Sequence, residues 1–216
     1  MTDVPEESTW DEDDSRHFID YGAYFVPERE VQIDTICSVI PAPKTGSRFV
    51  EICSGEGLLA VALAQRFPGV FIHALDGSEA MLTATATRLD AAGAAHETSR
   101  IEIAGTAWRR FDTPIHAFVS SLAIHHLDGP AKARLYKDLS DARAPGGALV
   151  VCDLVEARTP ETLALWERHW DEEVQTRALE LDGDTRMLDF FARTAGTTTP
   201  IRKPIPATNR RPCTSN

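Results

Sequence analysis

The chain has 216 residues, 43% of them hydrophobic and 25% charged, a balance that suits one globular domain and excludes a wholly disordered or collagen-like chain. A net charge of −11 argues against a phosphate-tracking surface, so neither nucleic acid nor an anionic membrane is an expected partner. No apolar run approaches the roughly 18–20 residues of a membrane span, and the acidic first residues lack the apolar core of a secretory signal. Cys37, Cys53, Cys152 and Cys213 lie far apart with no C-x-x-C pair, which suits a reduced, cytoplasmic protein and no zinc site.

Taken in chain order, residues 1–14 carry seven acidic groups and no basic one, which predicts a flexible acidic N-terminus over residues 1–16. Pro27 is placed to open a helix whose Ile33, Ile36, Cys37 and Ile40 share a face, before Pro41-Ala-Pro43 ends it. Arg48–Ile52 reads as a strand, Leu58–Phe67 as a helix and Val70–Leu75 as a second strand. Ser78 suits the cap of a helix reaching about Ala92, with Gly93 as its stop. Ile101–Ala104 and Ile115–Ser120 are the third and fourth strand candidates. Gly129-Pro130 starts a helix that Pro145-Gly146-Gly147 should end, and Ala148–Val155 is apolar enough for a strand buried on both faces. Thr159-Pro160 opens a last long helix. Strands alternating with helices imply an α/β domain with a mostly parallel sheet, here placed over residues 17–192.

The segment Glu51-Ile-Cys53-Ser-Gly55-Glu-Gly57 lies between the first strand and its helix. Glycines there let a ligand approach the backbone, and the helix start offers free N–H groups. The second strand closes on Leu75-Asp76-Gly77-Ser78, where a carboxylate can accept hydrogen bonds from ribose hydroxyls. The glycine spacing differs from G-x-G-x-x-G, and Glu51 would repel a pyrophosphate while suiting a cationic ligand with an amino group. A nicotinamide dehydrogenase is therefore disfavoured.

Together with Ser120-Ser-Leu-Ala-Ile-His-His-Leu127 and Ala144-Pro-Gly-Gly147, these motifs resemble the class I S-adenosylmethionine-dependent methyltransferases. The resemblance implies a Rossmann-like fold, mostly parallel with helices on both faces, and S-adenosyl-L-methionine as cofactor with S-adenosyl-L-homocysteine as product. It implies that Glu51 holds the methionine amino end, that Cys53, Gly55 and Gly57 shape the pocket, and that Asp76 holds the ribose. Gly77 and Met81 would border ribose and adenine, Thr106 and Ala107 would flank the adenine, and Ser121 and Leu122 would close the pocket near the methyl group. Two residues depart from the family pattern: Cys53 replaces its first glycine, and Thr106 stands where an aspartate is frequent.

His126 resembles the catalytic histidine of phosphoethanolamine methyltransferases, with Tyr24 or Tyr21 as the partner tyrosine; packing or substrate lining by His125 and His126 is the plainer reading. Trp166 and Trp170, one helical turn apart, suit core or lid packing, or an aromatic wall for substrate. Asp171, Glu172 and Glu173 beside His169 read as a solvated face rather than a metal site. The acidic surface points to a small-molecule acceptor.

After Asp189 no acidic residue occurs, while Arg193, Arg202, Lys203, Arg210, Arg211 and four prolines do. That composition predicts a basic, disordered tail over residues 193–216. Dropping two bases from the Gly196 codon permits an aromatic, Pro/Asp-rich reading like the stretch that follows this helix in related methyltransferases. The expectation is a truncated or frameshifted C-terminus in which strands six and seven are missing, and strand five is left as an apolar edge open to a second copy of the chain. Two other readings follow from the sequence. One is a carboxy-S-adenosylmethionine synthase, with Arg29 holding the extra carboxylate. The other is a truncated cofactor-binding protein without turnover.

Overall fold

In the computed structural model the structure describes residues 12–26, 28–186 and 188. The basic tail over residues 193–216, Cys213 and the helix-opening Pro27 lie outside the described residues. Helix α1 (Glu12–Phe25) and α2 (Arg29–Val39) precede β1 (Arg48–Ile52), α3 (Leu58–Arg66), β2 (Phe71–Asp76), α4 (Glu79–Ala91) and β3 (His96–Arg100). Then come β4 (Ile115–Ser121), α5 (Gly129–Ala142), β5 (Arg143–Cys152) and α6 (Pro160–Asp182).

The five strands form one parallel sheet in the order β3-β2-β1-β4-β5. Alternation along β1 sends its side chains to two cores. Phe49 packs with Ile36 of α2, Leu63 of α3 and Leu89 of α4. Val50 and Ile52 pack with Phe118 of β4 and Leu135 and Leu139 of α5. Three helix starts are capped by side chains: Ser78 Oγ accepts from Met81 N–H, Asp128 from Ala131 N–H and Thr159 from Thr162 N–H. Among the described residues no helix is long and apolar enough to cross a membrane.

Four local expectations change. Residues 12–16, read as part of a flexible N-terminus, are the first turn of α1, where Glu12, Asp13 and Asp14 favour the positive end of the helix dipole. The third strand is His96–Arg100, not Ile101–Ala104. Its polar residues hide it from an apolar-run search, yet they pair across the sheet edge: Glu97 with Arg48 at 2.9 Å, and Ser99 with His73 at 3.0 Å. The carbonyls of Ile103 and Ala104 instead accept from the buried Arg109 guanidinium, which also meets Asp138 of α5 at 3.0 Å.

The fifth strand starts at Arg143 and ends at Cys152, so Pro145-Gly146-Gly147 lies within it, at an irregular register opposite β4. Pro145 is tolerated because β5 is an edge strand among the described residues. Gly147 is required because a Cβ there would run into the His116 carbonyl oxygen. The side chains of β5 are half-buried or exposed, rather than buried on both faces.

Gly57, the residue before α3, has φ +87°, and a Cβ there would lie 2.8 Å from Thr85 Cα and 2.9 Å from its Oγ1. Gly57→Ala is expected to cost about 2–4 kcal/mol of stability in urea unfolding. Gly55 has φ +55° with open space at its Cβ position, and Gly55→Ala is expected to cost only about 1–2 kcal/mol.

Candidate functional site

The strand order reverses between β1 and β4, so the connections leaving their carboxyl ends diverge and leave a crevice at that edge of the sheet. The β1–α3 turn fills one side of it. Cys53 turns the chain with φ +57°, Ser54 N–H bonds the Leu75 carbonyl at 2.9 Å, and Gly57 N–H bonds the Ser54 carbonyl at 3.0 Å. Thr85 of α4 braces the turn from beneath, its hydroxyl donating to the Gly55 carbonyl at 2.8 Å.

Asp76, at the end of β2, ties this turn to the next. One of its oxygens accepts the Gly55 N–H at 2.8 Å and the other accepts the Ser78 N–H at 3.0 Å. Each oxygen keeps a lone pair for a further donor. Burial pushes the Asp76 carboxyl up, against the pull of those N–H bonds.

Glu51, beside it on β1, is only 2% exposed, and its Oε2 has no hydrogen-bond partner. Burial first, and then the Asp76 charge, raise its carboxyl well above the usual carboxylate range. The Cys53 thiol is also pushed up strongly by burial and by the carboxylates of Asp76, Glu51 and Asp153. The site is thus a desolvated, electronegative notch that a positively charged, donor-rich ligand would relieve.

Two further acids hold the walls. Glu56, buried, bridges Arg29 of α2 at 2.9 Å and Arg88 of α4 at 2.5 Å. Glu12 reaches from α1 to the start of α4, accepting from Ser78 Oγ and Glu79 N–H, both at 2.9 Å, and from Ala80 N–H at 3.3 Å. Those bonds, the Glu79 N–H foremost, hold the Glu12 carboxyl below its usual range.

Residues 49–147 match the family model of the methyltransferase domain. The fold is the Rossmann-like one of the class I methyltransferases. No curated protein matches the sequence. Among solved structures, the chain is similar to an O-methyltransferase family protein from Burkholderia thailandensis, at 16% identity and TM-score 0.56, over 85% of this chain and 54% of that one. It is also similar to a Methanococcus maripaludis protein assigned as an S-adenosyl-L-methionine-dependent methyltransferase, at 14% identity and TM-score 0.55, over 88% of this chain and 79% of that one. A third likeness is to DhpI in complex with SAH, at 22% identity and TM-score 0.51, over 66% of each chain. The chain spans about half the length of the Burkholderia structure.

Within this fold, Glu51, Cys53, Gly55, Asp76 and Gly77 converge on the two bonded turns, and Gly57 and Met81 are buried just behind them. Ser121 and Leu122 lie at the end of β4, across the crevice; Leu122 has φ +54° and its N–H bonds the Cys152 carbonyl at 2.8 Å. Thr106 and Ala107 are exposed at the short helical turn 107–109, six residues or more beyond β3.

The Tyr24 hydroxyl donates to the Asp182 carboxylate of α6 at 3.0 Å. Desolvation, and then Asp182, raise the Tyr24 hydroxyl pKa. Arg29, the candidate anchor for an extra carboxylate, pairs with Glu56 at 2.9 Å. Trp166 is partly exposed on α6, and the Trp170 indole N–H is buried without a hydrogen-bond partner. Sequence reading missed the roles of Glu12, Glu56 and Asp153. An acid directly after β5, matching those that close β1 and β2, was the available signal for the last of them.

Because Glu51 binds its proton more tightly folded than unfolded, its contribution to stability diminishes as pH rises from its unfolded value toward its raised folded one. Glu51→Gln should therefore gain in melting temperature relative to the wild-type protein as pH rises above the ordinary carboxylate range. Melting curves over that rise in pH check the direction.

Proposed function

We propose that this chain transfers the methyl group of S-adenosyl-L-methionine to a small-molecule acceptor, through a binding unit formed by residues 17–192. The observation that carries the reading is the buried Glu51 carboxylate with an unpartnered oxygen, set beside Asp76 in a class I methyltransferase fold. That notch fits a ligand bearing an ammonium and a ribose diol. When bound, the cofactor supplies an electrophilic methyl on a sulfonium that is already a good leaving group.

The chain supplies placement and exclusion of water. Glu51 takes the ammonium, Asp76 takes the ribose hydroxyls through its free lone pairs, and the turn at Cys53–Gly57 lies along the methionine portion. Gly77 and Met81 lie by the ribose and adenine, and Ser121 and Leu122 close the side from which an acceptor enters. The two buried acids Glu51 and Asp76 favour a cationic sulfonium over pyrophosphate ligands.

Calorimetry with S-adenosyl-L-methionine, S-adenosyl-L-homocysteine and NAD tests the reading. Binding of the first two and not of NAD is expected, with Asp76→Ala weakening both by about tenfold or more. Binding of NAD alone, or no binding by the folded protein, would overturn it. The pH dependence has a definite sign. An ammonium beside Glu51 would draw down the carboxyl pKa that burial raises, so binding favours release of its proton and affinity falls as pH is lowered. Glu51→Gln should flatten that dependence.

A further inference from the structure

On the far side of the crevice two side chains meet that cofactor binding leaves unused. His125 lies in the turn after β4, and Asp153 is the first residue after β5, so parallel pairing of these strands sets them side by side. Asp153 Oδ1 lies 2.6 Å from His125 Nδ1, and Oδ2 accepts the His125 backbone N–H at 2.8 Å. The Leu154 N–H also donates to Oδ1 at 2.8 Å, so the carboxylate is fixed at both oxygens. The side chains are 20% and 13% exposed.

Burial alone would raise the Asp153 carboxyl, but its bonds to His125 and Leu154 carry it below the usual range. An ionised carboxylate only accepts, so it keeps a proton on His125 Nδ1 and leaves the lone pair on Nε2. Ile124, the residue before His125, belongs to the core cluster against which Cys53 of the β1–α3 turn packs. The His126 ring lies against His125, centroids 4.2 Å apart, and restricts its rotation.

We propose that His125 is the general base of the methyl transfer, that Asp153 is its positioning residue, and that the acceptor is a small molecule whose attacking atom is a weakly acidic hydroxyl oxygen, as in a phenol. This rests on the reading of the donor site given above. A neutral amine already carries a free lone pair, whereas a neutral hydroxyl gains most from losing its proton as it attacks. As the acceptor oxygen bonds the methyl carbon, the carbon–sulfur bond breaks with its electron pair left on sulfur, and the hydroxyl proton passes to His125 Nε2. Asp153 neutralises the imidazolium, and the partly exposed ring then returns the proton to solvent.

The test uses the full chain with S-adenosyl-L-methionine and a panel of phenols and catechols, from neutral ones to nitrocatechols already ionised at neutral pH, with primary amines in parallel. Methylated product is followed by mass spectrometry. His125→Gln should lower transfer to neutral phenols by roughly 10²–10⁴-fold, and transfer to the ionised nitrocatechols by much less. Calorimetric binding of the cofactor shows that the variant is folded. Independently of turnover, ring-nitrogen NMR should place the His125 proton on Nδ1 in the wild-type protein, a preference that Asp153→Ala abolishes.

Equal losses on neutral and ionised acceptors, transfer to amines alone, or no transfer to any panel member by a protein that binds the cofactor would each overturn the proposal. A protein that binds no cofactor would also end it. That failure would be traced to the donor site, because the tautomer measurement does not depend on the cofactor.

Discussion

Glu51 and Asp76 close neighbouring strands of one parallel sheet, and both carboxyls are buried. Charges of one sign in a desolvated notch repel each other, and each resists ionisation. The rest of the site answers that constraint. Backbone N–H groups of Gly55 and Ser78 are turned inward onto Asp76, and Thr85 rises from α4 to hold the turn that presents one of them. Glu51 receives no such help at Oε2. The fold therefore keeps an unmet electrostatic demand at the place where its strand order reverses, and that demand defines the ligand.

The crevice divides by strand. The ends of β1 and β2 carry groups suited to holding a donor, and the ends of β4 and β5 carry a histidine with a carboxylate behind it. A parallel sheet permits this division because every strand delivers its carboxyl end to the same edge. Supporting ion pairs keep the walls apart: Glu56 fastens α2 and α4 to the start of α3, and Arg109 fastens the loop after β3 to α5.

The sequence was most legible where chemistry and patterning coincide. Arg48–Ile52 is apolar, central and followed by glycines, and its bounds are those of β1. Ser78 was readable as a cap because the side chain acts within its own turn. Legibility failed where a partner lies far along the chain. His96–Arg100 became a strand through polar pairs with β1 and β2, which no local pattern announces. Gly146 and Gly147 read as a stop, but Gly147 permits close approach to β4 within a strand. The acids of residues 12–14 read as a solvated tail because Glu12 finds its partner 66 residues away. Within the candidate site, Glu51 and Asp76 were visible from their motif, whereas the pairing of His125 with Asp153 needed the β4–β5 register.

The long reach of Glu12 bears on how the molecule is made. Helix α1 leaves the ribosome before any residue it rests on: Ser78 and Glu79 follow much later, and Asp182, which receives Tyr24, later still. Helix α1 can dock only once α4 has emerged, and until it does the start of α4 has to borrow its hydrogen bonds from water. A nascent chain paused before α6 would have α1 held at α4 through Glu12, with Tyr24 still waiting for Asp182.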